Sequence, residues 1–308
     1  MSKPTRATAK DVARASGVSQ STVSFVLNDT AGHVSPQTRE RVQQAASALG
    51  YVPNGSAQAL RRGASRIVLL NVEGIPTGSS LGSYIRGLDA ELASHHHVLL
   101  VLHGHLSSQA LSDVAQAVSA RAVIDLGDAG HADAADGHTC FDAFSAQADV
   151  PIRYLLDRGH RHIATALPEA PELQALAGLR DRLMRQAAHT AGVASCLTLT
   201  LPSSPDVAAQ RLRTFRAAHP EVTAVAAYND DLALVLLAAM RRTGLRAPAD
   251  LAVIGFDDTP HGALFSPALT TVHIDAEAIG RITARNALGL PVAESAGDPA
   301  RVIVRESG

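Results

Sequence analysis

Between Thr8 and Asn28, apolar residues recur at helical spacing in two short runs separated by Gly17. In the first run Val12 and Ala13 form the apolar side. Thr8 stands where an N-cap would, and Asp11, three positions on, is placed to close a capping box. Gly17 supplies the backbone freedom for a stop. Ser19 is then placed to cap the second run, in which Val23, Val26 and Leu27 face inward and Gln20, Ser21, Thr22 and Ser24 face outward. None of these outer residues is charged. Hydroxyls and an amide near a helix N-terminus suit the base edges of a DNA major groove, with the terminus itself turned to phosphate. The same spacing also describes an ordinary packed helix pair, so the rest of the chain has to decide.

A third helix is expected from Pro36 to Leu49. Ser35 is its cap, Pro36 fits the first helical position, and Val42, Ala45, Ala46 and Leu49 line one face. Gly50 ends it, and the three helices close a small core. In the stretch from Pro53 to Gly63, Asn54 can cap and Gly63 can stop a helix, but Gly55 weakens it. Isolated helices below about 12 residues are marginal in water. The stretch therefore reads as a hinge that orders only with support, the alternative being a solvated linker.

From Arg66 the pattern changes to apolar runs of strand length alternating with helical ones. Ile67–Val72, Val98–Leu102, Ile163–Leu167, Thr223–Ala227 and Leu251–Phe256 read as buried strands. Leu81–His95, Arg180–Ala191 and Asp231–Thr243 read as helices. Such alternation predicts parallel sheets with helices on both faces. The fold class expected is α/β behind an all-α head.

Composition sharpens this picture in three ways. At 308 residues the chain is long enough for two or three domains. With aromatics at 3% and Trp absent, Leu, Val, Ile and Ala must build the core. The net charge of −2 hides an asymmetry, because residues 1–66 carry nine basic and three acidic side chains, a net +6 against −8 for the remainder. A basic head on an acidic body fits a polyanion partner for the head alone. Cys140 and Cys196 lack metal-ligand spacing and fit a reduced, cytoplasmic setting. The N-terminus has no apolar signal core, and no apolar run approaches the roughly 20 residues that span a bilayer. The longest, Leu232 to Met240, reads as a buried helix.

Three segments together carry a resemblance. V-S-x-x-T-V-S-x-V-L-N over Val18–Asn28, V-S-P-Q-T-R-E-R-V over Val34–Val42 and G-Y-V-P-N over Gly50–Asn54 resemble, in the same order, the head of the LacI/GalR family of transcription regulators. The likeness continues through Gly159-His160-Arg161-His162-Ile163-Ala164, Tyr228-Asn229-Asp230-Asp231, Gly255-Phe256-Asp257-Asp258 and Leu269-Thr270-Thr271-Val272. It implies a helix-turn-helix head over 1–52, a hinge helix and linker over 53–66, and a two-lobed periplasmic-binding-protein-like core over 67–308. The first lobe would take about 67–158 plus 272–290, and the second about 159–271 plus 291–308.

Within that frame Gln20, Ser21 and Phe25 are the candidate base readers. Glutamine can bond bidentately to adenine. The family usually carries a long polar or basic residue at the position of Phe25. Phenylalanine leaves two readings, contact with a thymine methyl or packing. Thr8, Ser19, Thr22, Asn28 and Ser35, with the backbone at Val34, match the family's phosphate contacts, which position without specifying. The resemblance places Asn54, Ala57, Leu60 and Arg61 in a hinge that pairs across a dimer in the minor groove, with Leu60 as the wedge that kinks the duplex. It also gives Asn229, Asp257 and Asp142 to an effector, and the first two stand at strand ends, where open α/β sheets bind ligands. Asn and Asp are equally ordinary turn formers there.

Two departures bear on the effector. Ala175 stands three residues before Gly178, where the family commonly has an arginine, and the interval from Ile124 to Gly159 is short, with a polar Gly127–His138 stretch. His95-His96-His97 and His103-x-His105 raise a metal reading, but no carboxylate spacing accompanies them, and solvated histidines are the commoner case. No metal and no cofactor are expected. Nucleophile-elbow, Walker, zincin and dinucleotide signatures are all missing from the sequence, so catalysis is not expected. The expected function is a cytoplasmic, sequence-specific DNA-binding repressor. Its partners would be a near-palindromic double-stranded operator and a second copy of itself, as a dimer or a tetramer, without a membrane. A sugar-type or nucleoside-type effector is one alternative, and a degenerate core without a small-molecule effector, answering to a protein partner or acting constitutively, is the other.

Overall fold

The computed structural model describes residues 7–27, 34–51, 65–73, 78–104, 106–126, 147–193, 195–292 and 300–308. The chain divides into two compact units, Met1–Ser65 and Arg66–Gly308. Asn28, the hinge residues Asn54, Ala57, Leu60 and Arg61, and Asp142 all lie outside the described residues, as does Gly127–His138.

The first unit contains α1 (Ala9–Ser16), α2 (Gln20–Leu27) and α3 (Pro36–Ala48). The caps expected at Thr8, Ser19 and Ser35 form, while the one expected at Asn54 falls outside the described residues. Thr8 and Asp11 make the capping box, and Gly17 takes the left-handed conformation at φ 67 that ends α1. Ser19 Oγ accepts from the Thr22 amide at 3.1 Å, and Ser35 Oγ from the Thr38 amide at 3.3 Å. Val12, Ala13, Val23, Val26, Val42 and Ala46 make the buried core, with Val18, Leu27, Val34, Ala45 and Tyr51 packed around it. So few buried side chains make a marginal core, and each cap is a sizeable share of its stability.

The second unit holds two parallel sheets. Its first part runs β1 (Ile67–Asn71), α4 (Ser79–Ser94), β2 (Val98–Leu102), α5 (Ser108–Ala117) and β3 (Ala122–Asp125). The strands order β2-β1-β3, with Val68 opposite both Leu99 and Ala122. Next come α6 (Val150–Asp157), β4 (His162–Pro168), α7 (Gln174–Thr190), β5 (Ser195–Leu201), α8 (Pro205–Ala218), β6 (Ala224–Ala227) and α9 (Asp230–Thr243). The chain closes with β7 (Ala252–Phe256), α10 (Pro260–Leu264), β8 (Thr270–Ile274), α11 (Ala276–Leu288) and β9 (Ala300–Ile303). The second sheet orders β5-β4-β6-β7-β8-β9, parallel except for the antiparallel β8–β9 pair.

Period-two alternation divides the core of the second sheet. Ala164, Ala166, Val225, Ala227 and Val253 face α8 and α9, while Ile163, Ala224, Ala226, Ala252 and Ile254 face α6 and part of α7. The first sheet buries Val68, Leu70 and Ile124 against Tyr84, Leu88 and Leu92 of α4 and against Ala276 and Ala284 of α11. Helices α4 and α11 lie unusually close. A Cβ on Gly87 would stand 2.0 Å from the Glu277 carbonyl oxygen, and one on Gly280 would stand 2.1 Å from that of Tyr84. Arg285 then clamps Glu91 at 2.7 Å.

The helix expected over Arg180–Ala191 begins at Gln174 instead. The Gln174 amide donates to the carbonyls of Pro168 and Ala170, so a side chain supplies the start that no capping residue announces. Among the described residues no helix is long and apolar enough to cross a membrane.

Candidate functional site

On α2 the exposed residues are Gln20, Ser21 and Phe25, while Val23 and Val26 are buried. Phe25 keeps 47% of its surface open, so its ring is not taken up by the head's core. Ser19 sits at the centre of a hydroxyl cluster, 2.7 Å from Ser21 Oγ and 2.8 Å from Thr22 Oγ1. Thr8 donates its N–H and its hydroxyl to Asp11 Oδ2 at 2.9 and 2.6 Å. Those hydrogen bonds hold the Asp11 carboxyl below its usual range. Thr8, Ser19 and Ser35 are therefore all helix caps. Each fixes the N-terminus of its helix by accepting from a first-turn amide.

In the second unit the chemistry gathers at the carboxyl ends of β6 and β7. Asn229 caps α9 through Oδ1, which accepts from the Leu232 amide at 3.0 Å, leaving its amide nitrogen for another partner. Asp230 is fully buried, and its carboxylate accepts from the Thr259 amide at 2.6 Å and the Thr271 hydroxyl at 2.5 Å. Burial nevertheless pushes its pKa up to about 6, with nearby Asp257 adding to the shift. Asp258 is bound by Arg305 at 2.6 Å and His273 at 3.2 Å. Asp257 is thus left to face the other way. Its backbone sits at φ 108, a conformation that side-chain-bearing residues rarely hold.

Arg180 is the partner of Asp257, a pairing that no motif or spacing in the chain announces. It is 3% exposed, and Nη2 lies 3.6 Å from Asp257 Oδ1, an ion pair too long to be a hydrogen bond. Nη1 donates to the Tyr228 carbonyl at 2.8 Å. Burial raises the Asp257 carboxyl, with Arg180 and a hydrogen bond from Ser80 opposing the rise. Burial likewise raises the Tyr228 hydroxyl. The histidines follow local contacts, His97 Nδ1 against the His95 carbonyl and His95 against Glu91. Among the described residues no group of three or more His, Cys, Asp or Glu converges.

A capped helix-turn-helix with an uncharged exposed helix, followed by a doubly layered α/β core with polar strand ends, is the build of a two-part DNA-binding regulator. Residues 8–54 match the bacterial regulatory proteins of the lacI family, and residues 152–307 match the periplasmic binding protein-like domain. The HTH-type transcriptional repressor PurR of Vibrio cholerae is 30% identical, covering 89% of this chain and 88% of its own length. The HTH-type transcriptional regulator GalS of Salmonella typhimurium is 29% identical, covering 91% and 89%. Among solved structures, the Lac repressor dimer bound to operator and the anti-inducer ONPF shares the fold, with TM-score 0.73 at 22% identity over 98% of this chain and 99% of that one. This chain belongs to the LacI family and is a DNA-binding transcriptional regulator rather than an enzyme.

Proposed function

We propose that the protein is a cytoplasmic repressor that binds a near-palindromic operator as a homodimer, one head to each half-site. The observation that carries this is the exposed face of α2, where Gln20, Ser21 and Phe25 stand free of charge on a helix held by its own caps. Gln20 and Ser21 meet base edges, and the open ring of Phe25 favours contact with a thymine methyl over packing. Thr8, Ser19, Thr22, Asn28, Val34 and Ser35 set the head on the phosphates, while the 53–66 segment, through Asn54, Ala57, Leu60 and Arg61, enters the minor groove. Asn229 and Asp257, with Asp142, are assigned to a polyhydroxylated or nucleoside effector of the core. The Arg180–Asp257 pair favours a second reading, a core that works without any effector.

Selection of bound sites from random duplex DNA tests the first reading, and it should return two inverted half-sites. Gln20→Ala should weaken binding to the selected duplex about 10-fold to 100-fold while leaving binding to scrambled duplex unchanged. Equal binding of wild type to both duplexes at moderate salt sinks the proposal. Leu60→Ala should reduce both affinity and duplex bending measured by gel mobility. Unchanged bending would remove the wedge but leave base reading intact.

A further inference from the structure

The helix that carries Ala175 delivers a guanidinium from another turn. Arg180 lies with its guanidinium carbon 4.4 Å from the centre of the Phe256 ring and 5.0 Å from that of Tyr228, beside the Asp257 carboxylate and the Tyr228 carbonyl. Ring faces, a carboxylate and a carbonyl are the contacts by which proteins hold a guanidinium ion. The fit is incomplete. Arg180 Nε, Asp257 Oδ1 and Tyr228 Oη are buried without a hydrogen-bond partner, three of six such side-chain atoms among the described residues. An ion pair built for stability alone satisfies such atoms, because each open one opposes folding. The φ of 108 at Asp257 is a second cost concentrated at the same point.

We propose that Asp257, Phe256 and Tyr228 form a guanidinium-binding site, which the chain fills with its own Arg180 as a tethered ligand. The inference rests on the placement of Asp257 at the ligand end of the core, proposed above, and not on any particular effector. Asp257 has its compensating charge before any small molecule arrives. An incoming cation has to displace Arg180 before it reaches the carboxylate.

Arg180→Ala in the full chain empties the site. Its Tm should fall by about 6 °C. Low-millimolar methylguanidinium should restore about half of that loss in a saturable way. Tetramethylammonium and urea at equal concentration should restore none, and wild type, already filled, should show no saturable rise. In Arg180→Ala/Asp257→Asn the restoration should vanish. A folded Arg180→Ala that melts alike in methylguanidinium and tetramethylammonium overturns the proposal, as does restoration that survives the loss of the carboxylate. If Arg180→Ala yields no folded protein, Asp257→Gly, which also relieves the backbone, is titrated with formate. Saturable stabilisation by formate but not by chloride supports the site, and no difference overturns it. These melts do not involve DNA, so their failure leaves the preference for a selected duplex standing.

Discussion

Gly280→Ala should lower stability by about 3 kcal/mol and Tm by about 6–12 °C, measured by thermal melting of the full chain. The added methyl would stand 2.1 Å from the Tyr84 carbonyl oxygen and 2.7 Å from the Leu88 amide nitrogen. Both are backbone atoms of α4, so no rotamer change relieves the clash and the two helices must part. Parting them loosens the packing of Ala276 and Ala284 on the first sheet's core and lengthens the Arg285–Glu91 clamp. Better helix propensity returns only about 0.5–1 kcal/mol. Gly82→Ala, on the same α4, is the control. Its methyl meets only the end of Arg86 at 3.7 Å, so it should be neutral or stabilising by up to about 1 kcal/mol. Equal melting of the two variants would show that the close approach of α4 and α11 is not needed for stability.

Asp230→Asn should leave stability unchanged near pH 4 and raise it by about 2–3 kcal/mol at pH 7. Burial lifts the Asp230 pKa from 3.8 to about 6, so the folded state binds the proton more tightly than the unfolded chain does. The resulting stability is fully present below about pH 4 and is lost as pH rises through 6. Above that, the fold carries a buried anion held by the Thr259 amide and the Thr271 hydroxyl. Asparagine reproduces the protonated acid, with its carbonyl oxygen for Thr259 and its NH2 for Thr271. Subtracting the variant's pH–Tm curve from that of wild type cancels the titrating groups not coupled to Asp230, leaving its own titration and its coupling to Asp257. A flat difference between pH 4 and 7 would mean that Asp230 is ionised throughout.

The head is legible in the sequence because its signals are local. Thr8 to Asp11, Ser19 to Thr22 and Ser35 to Thr38 are each three residues apart, and such spacing fixes a cap regardless of what lies beyond it. Alternation likewise exposes the strands and places Asn229 and Asp257 at their ends. The partners at those ends are not legible. Asp257 meets Arg180 across 77 positions, and Asp230 meets Thr271 across 41, pairings decided by the order of strands in a sheet. A start for α7 placed at Arg180 also leaves the helix phase unset, so nothing shows which face Arg180 occupies. The absence of arginine at Ala175 can be read from the sequence; the approach of Arg180 to Asp257 cannot. Glycines 87 and 280 give no sign of each other for the same reason.

One hydroxyl oxygen holds each helix start in the head, so the other first-turn amides of α1, α2 and α3 are not held by these caps. Under the proposed binding mode, alanine at Thr8, Ser19 or Ser35 slackens the reader and removes a phosphate partner in one stroke. A weakened complex in such a variant sums two deficits, a free head less well ordered and a DNA backbone less firmly held.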